Sequence, residues 1–151
     1  MVRENGRGLL APNVLLVVNA NAQLAGTTLP ALEQISLGGQ DTVRGYRKNF
    51  LLTDNGLLAS TELQLTIAKI QDWRVKLIPF MDFGTGWNNP GNFDVPSPRT
   101  LWSTGVGLLV QNSDRFNARL DWGVPLIKPT FIGDSFQERG FYFSVSGVIK
   151  F

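Results

Sequence analysis

The sequence predicts an all-β fold, the antiparallel sheet of a transmembrane β-barrel. Three observations predict it. Six runs of about ten residues alternate apolar and polar positions with a period of two. The connections between them run long, short, long, short, long. The aromatic residues fall in two bands, one near each end of the runs. Transmembrane strands need about 9–11 residues, and bacterial barrels pair short periplasmic turns with long outer loops and two aromatic girdles. With the long loops outside, the C-terminus is periplasmic.

Residues 1–11 carry polar side chains and glycines and read as a turn or a frayed end. The first run, 13–24, places Val14, Leu16, Val18, Ala20, Ala22 and Leu24 on one face, and Asn19, Asn21 and Gln23 on the other. Residues 25–56 form a long connection holding Pro30, a glycine-rich stretch and the turn signal Asp54-Asn55-Gly56. A loop of that length in a compact unit is functional or disordered.

The run 57–68 sets Ala59, Thr61, Leu63, Leu65 and Ile67 against Ser60, Glu62, Gln64 and Thr66. A short turn at Ile70-Gln71-Asp72 leads to 74–84, with Val75, Leu77, Pro79, Met81 and Phe83 opposite Lys76, Ile78, Phe80, Asp82 and Gly84. Pro79 lacks an N–H and argues against a central strand. After a loop rich in Gly, Asn, Pro and Ser come 101–111 and 115–126, joined by Asn112-Ser113-Asp114. The last run, 139–151, alternates Phe141, Phe143, Val145, Gly147, Ile149 and Phe151 with Tyr142, Ser144, Ser146, Val148 and Lys150. Phe83, Trp102, Trp122 and Phe141 make the outer aromatic band. Trp73, Phe116 and Phe151 make the inner one. A soluble antiparallel sandwich has the same alternation, and stays open on the residues alone.

Composition narrows the function classes. The chain of 151 residues has neither cysteine nor histidine, which removes thiolate chemistry, the commonest general base and the commonest metal ligand. No cofactor is expected. The net charge is +2 with scattered basic residues, which does not suggest nucleic acid. Asp82 and Asp121 are the carboxylates that could be imagined as a hydrolytic pair, but no nucleophile–base pair accompanies them, so no enzymatic activity is expected. The first residues show no apolar stretch of a signal peptide.

The stretch 37–46 holds the sharpest candidate site. Gly38, Gly39 and Gly45 permit positive φ and close backbone approach. Arg44, between Val43 and Gly45-Tyr46, offers a rigid fork of donors that stays charged. Such a loop is suited to fold back and seat Arg44 in a carboxylate. Asp82 and Glu62, on the polar faces of their runs, are the candidate carboxylates. A solvated loop arginine is the bland alternative. Arg119 and Asp121, two apart on one polar face, read as ordinary pore-facing polarity or as a charge ladder with Glu62 and Lys150. Tyr46 and Phe50 pack either on the wall or in a satellite cluster of the loop.

Taken together, these residues resemble the two-partner secretion transporters of the hemolysin-activation and hemagglutinin-export type (ShlB/FhaC/HecB). That family lies within a superfamily of POTRA-bearing barrels that includes the assembly factor BamA. Gly38-Gly39-x-x-Thr42-Val43-Arg44-Gly45-Tyr46 is similar to the V-R-G-[FY] signature of the loop that enters the barrel lumen. Phe80-x-Asp82-x-Gly84 is similar to the F-x-D-x-G motif of a strand facing that loop, and Glu62 matches a glutamate common in that superfamily. The terminal strand with Phe143, Ile149 and Phe151 resembles the C-terminal signal read by the barrel assembly machinery.

The resemblance implies an outer-membrane channel, in contact with lipid, that exports a partner exoprotein. It implies that the six strands are the last six of sixteen. Six strands leave edges that lipid cannot satisfy, so the chain is expected to be a fragment: a truncated gene, a partial reading frame or a piece of a larger protein. No POTRA domain precedes the sheet in this sequence. The alternatives are a BamA-like assembly factor, told apart by five upstream POTRA domains instead of two and a plug helix; a soluble sandwich binding module, extractable without detergent; and a non-functional remnant.

Overall fold

The computed structural model describes residues 2–95, 97–112, 116–128, 136 and 139–147. Nine strands are found among them: β1 (Val2–Ala11), β2 (Val14–Gln23), β3 (Ile35–Leu37), β4 (Leu51–Thr53), β5 (Asn55–Ile70), β6 (Trp73–Trp87), β7 (Thr100–Asn112), β8 (Phe116–Pro125) and β9 (Phe141–Gly147). Seven of them form one antiparallel sheet in the order β1-β2-β5-β6-β7-β8-β9, and β3 pairs with β4 in a separate hairpin.

Three expectations are corrected. Residues 2–11 are a strand, not a frayed end, and pair with β2 along their length. Their alternation was hidden because the positions paired with the apolar face of β2 hold Glu4, Gly6 and Gly8, which carry no hydrophobic signal. The sheet therefore has seven strands, not six. The connection 25–56 is not structureless, since β3 and β4 interrupt it. Three-residue strands are too short to show a period.

Pro79 lies in the middle of β6, a central strand. The register keeps Glu62 opposite Phe80 and Leu65 opposite Leu77, but no ladder pairing joins Leu63 to Pro79 or Gln64 to Ile78 between them. The missing N–H is thus accommodated by a gap in one ladder, while Pro79 still pairs with Val106 of β7. β5 and β6 also extend past the predicted 57–68 and 74–84, into the rim residues Asn55 and Trp87.

One face of the sheet is apolar. Val14, Leu65, Leu77, Leu108, Leu120 and Phe143 stand directly opposite one another across six successive strands. Above that row Phe83 meets Trp102 edge-on at 4.9 Å between ring centres, and Trp122 stacks on Phe141 at 6.0 Å. Below it Trp73 meets Phe116 at 5.8 Å. Most of this face is solvent-accessible in the isolated chain.

The buried core lies on the other face, at the long-loop end. Ile35, Leu37, Val43, Tyr46 and Leu51 pack against Leu58 of β5, Val95 and Leu101 of β7, with Phe50 at the margin. Tyr46 and Phe50 are 5.6 Å apart and share this cluster between loop and wall. Gly84 makes the contact possible: a Cβ there would lie 2.8 Å from Val43 Cγ2 and 3.0 Å from Leu37 Cδ2.

The long connections at this end are tied together by Asp54, which is fully buried between β4 and β5. Its Oδ1 accepts from Leu29 N–H (2.9 Å), Gln34 Nε2 (3.1 Å) and Asn92 Nδ2 (2.9 Å), and its Oδ2 from Asn89 N–H (2.9 Å). Burial alone would raise this carboxyl. The converging donors outweigh it and hold the group below the usual carboxylate range. A depressed group contributes its stability above the unfolded value and loses it as pH falls through the folded one. The amides of Leu29 and Asn89 are therefore expected to stay protected from hydrogen exchange at neutral pH and to lose protection only in strong acid. Asp54→Ala, which removes both acceptor oxygens, is expected to lose that protection at every pH; retained protection in that variant would remove Asp54 as the organiser.

Candidate functional site

The glycine-rich segment lies on the polar face of the sheet, over β5 to β9. Gly38 and Gly39 adopt φ of 102° and 107°, which turns the chain at the end of β3. The turn is closed by Thr42 N–H to Gly39 C=O (3.3 Å) and Gly39 N–H to Val43 C=O (3.2 Å). Gly45, at φ 95°, lies against the backbone of Gly123. A Cβ on Gly123 would come 2.7 Å from Gly45 N, so two glycines are needed for the loop to touch β8.

This geometry delivers Arg44 into a buried charge cluster. Its Nε and Nη2 bind the two oxygens of Asp82, each at 2.7 Å, and its own N–H adds a bond to Asp82 Oδ2 at 3.0 Å. Its Nη1 donates to Glu62 Oε1 at 2.6 Å and lies 3.7 Å from Asp121 Oδ1. The guanidinium carbon sits 3.5 Å from the ring centre of Phe80, a desolvated cation–π contact of about 2 kcal/mol. Arg44 is 3% exposed and Asp82 is 0% exposed.

Arg119 extends the cluster. It donates to Glu62 Oε1 (2.7 Å) and to both oxygens of Asp121 (2.7 and 3.0 Å). Two arginines thus meet three carboxylates. The excess negative charge is met by neutral donors: Gln40 to Asp121 (3.3 Å) and Gln64 to Glu62 (3.4 Å), with Lys76 behind Gln64 at 3.1 Å.

Tyr46 is anchored at both ends. Its ring is in the apolar core, and its hydroxyl lies 2.7 Å from Ile127 C=O and 3.3 Å from Trp102 N–H. One proton serves one acceptor, so the hydroxyl donates to Ile127 and accepts from Trp102.

The structure therefore brings together Gly38, Gly39, Val43, Arg44, Gly45 and Tyr46 of the loop with Glu62, Phe80, Asp82 and Gly84 of the wall. Phe143 is on the apolar face and exposed. Ile149, Lys150 and Phe151 lie outside the described residues. Arg119 and Asp121 are members of the cluster rather than ordinary surface polarity. Tyr142 was missed: its hydroxyl accepts from Gly45 N–H at 2.9 Å and donates to Tyr46 C=O. An aromatic residue with a polar tip, at a polar-face position between Phe141 and Phe143, was the available signal. Among the described residues no group of side chains could hold a metal ion.

The described residues thus form an antiparallel sheet with one apolar face and a glycine-rich loop locked by charge onto the other. The chain belongs to the haemolysin secretion/activation protein family ShlB/FhaC/HecB, whose model matches residues 11–110. It is 28% identical over 117 residues to the outer membrane transporter CdiB of Escherichia coli strain 536, and to a second Escherichia coli CdiB. Those matches cover 77% of this chain, and the chain spans 19% of the length of these relatives. The solved structure of CdiB from Escherichia coli superposes with a TM-score of 0.73 at 23% identity, over 93% of this chain and 25% of that one. That of CdiB from Acinetobacter baumannii gives 0.67 at 24% identity, over 95% of this chain and 25% of the other.

Removing one partner from a buried, hydrogen-bonded ion pair costs about 3–5 kcal/mol, because the other charge is left uncompensated. Arg44→Ala and Asp82→Ala are each expected to lower stability in lipid or detergent by about that amount. The double variant is expected to cost close to one single, not the sum. Equilibrium urea unfolding measures the cycle; additive losses would show that the two side chains are uncoupled.

Proposed function

We propose that this chain forms part of the wall of an outer-membrane channel that exports a partner exoprotein, hemolysin- or hemagglutinin-like, by two-partner secretion. One observation carries the reading: a glycine-rich loop is locked by Arg44 and Asp82 onto the polar face of a sheet whose opposite face is apolar and banded by aromatics. The polar face lines the conduit. The loop occupies the lumen, where it steadies or gates the passage of an unfolded chain. Nothing in this scheme needs nucleotide hydrolysis.

Dimensions support the membrane placement. Trp73 and Phe83 are ten positions apart on β6, about 33 Å at 3.3 Å per residue. A strand tilt of about 40° shortens this to about 25 Å, the height of the apolar band in outer-membrane barrels. In this proposal the seven strands are the last of sixteen, the long loops are outside and β9 runs toward the periplasm. Phe143, Ile149 and Phe151 then belong to the signal read by the assembly machinery.

Two tests follow. Leu108→Arg, in the middle of the apolar row, is expected to destabilise the protein in bilayers by about 2–4 kcal/mol, and Trp102→Arg, at the band edge, by about 0–1 kcal/mol. Equal effects would place the bilayer elsewhere. For transport, Arg44→Ala is expected to reduce appearance of the partner outside the cell, with the barrel still present in the outer membrane. Undiminished export would overturn the assigned role of the loop.

A further inference from the structure

The loop is held at two separated places. On one side Arg44 grips Asp82 of β6 and Glu62 of β5. On the other it meets β9, three strands away from β6 in the sheet order. The junction there is the Tyr142 hydroxyl. It accepts from Gly45 N–H at 2.9 Å and donates to the carbonyl of Tyr46, so it closes on two consecutive peptide groups of the loop. Tyr142 is 5% exposed, the most buried described residue of β9. A longer contact, Gln40 Nε2 to Ser144 Oγ at 3.4 Å, joins the same two elements.

Between the two anchor points the loop passes over glycine. Gly123 of β8 lies under Gly45, and Gly105 of β7 faces the Phe80 ring beneath the arginine. No side chain of β7 is bound by Arg44 among the described hydrogen bonds and ion pairs. β9, meanwhile, pairs with β8 alone among the described strands.

We infer that Tyr142 is a positioning residue that makes the loop a strap from β6 to β9, so that seating of Arg44 and placement of β9 are coupled. With the loop seated, β9 is held by its ladder to β8 and by the strap. With the loop withdrawn, the strap is lost and β9 is held by strand pairing alone. The coupling stands on this geometry. Its consequence, that release of the loop during export loosens the sheet at β9, rests on the transport reading above.

The test is backbone amide exchange on the protein as its gene encodes it, in lipid nanodiscs, which needs no exported partner. Tyr142→Phe keeps the ring and deletes both hydrogen bonds. Exchange at Gly45 is expected to rise about tenfold, and exchange across 141–147 to rise with it, with β5 and β6 unchanged. Asp82→Asn releases the other end of the strap and is expected to speed exchange in β9 as well. In Tyr142→Phe/Asp82→Asn that second substitution should add nothing at β9. No change at Gly45 in Tyr142→Phe, a change confined to Gly45, or a uniform rise over the whole sheet would each overturn the inference. If Tyr142→Phe does not fold, unchanged β9 exchange in Asp82→Asn alone overturns it. Export assays on the same variants bear separately on the transport reading: lost export with β9 exchange unchanged would sink the strap and leave the channel.

Discussion

The two-pronged bond between Arg44 and Asp82 is the interaction on which the rest of the polar face depends. A guanidinium sheltered from water is unfavourable unless its donors are matched and its charge is met. Here Nε and Nη2 take Asp82, Nη1 takes Glu62, and the flat of the group lies on Phe80. A lysine at this position would offer a single point of charge and no plane to stack. The strands are placed so that β5 and β6 each present one carboxylate to the same fork, with Glu62 directly opposite Phe80 across the ladder. Arg119 then becomes necessary as the second cation, because Asp121 and Glu62 would otherwise be left with a single arginine among three acids.

Shape makes the charge arrangement attainable. The loop meets Gly123 backbone to backbone and lays the side chains of Val43 and Leu37 on Gly84, and a Cβ at either glycine would push it off the sheet. The apolar cluster of Leu37, Val43, Tyr46 and Leu51 seals the same approach from the long-loop end. Charge fixes the loop in register, and apolar contact excludes water from the charges. Each makes the other stronger, since a pair in a dry site feels a lower dielectric.

Most of the sheet was legible in the sequence because β2, β5, β7 and β8 put one apolar residue on every second position. β1 was not, since a strand that presents Glu4, Gly6 and Gly8 on one face has no period to detect. The β3–β4 hairpin was too short to register. Arg44, Asp82 and Glu62 could be named in advance, because an arginine among glycines suits a carboxylate and the family resemblance singles out these two acids. Arg119 and Asp121 lay in plain view two residues apart, and a charge ladder with Glu62 was one of two readings; pattern alone could not choose it, nor show that β8 brings them under Gln40. Tyr142 shows a polar tip at a polar-face position, but its partners are peptide groups, and no side-chain pattern says which ones. Asp54 was read as part of a turn signal, which it is, and the same carboxylate also gathers four N–H donors from two distant loops.

The two buried aspartates illustrate different uses of the same group. Asp54 is satisfied entirely by neutral N–H donors, spread over several segments, so no single contact releases it. Asp82 is satisfied by one residue that supplies two side-chain bonds, a backbone bond and a full charge. Distributed bonding suits a fixed frame, because many partners must move together before it opens. Concentrated bonding suits a part that comes and goes, because one motion breaks it all. The loop also contributes no strand to the seven-stranded sheet, so no ladder of that sheet has to break for it to leave. The long-loop end is thus built as a frame, and the glycine-rich loop as an insert held by an arginine at one side and a tyrosine at the other.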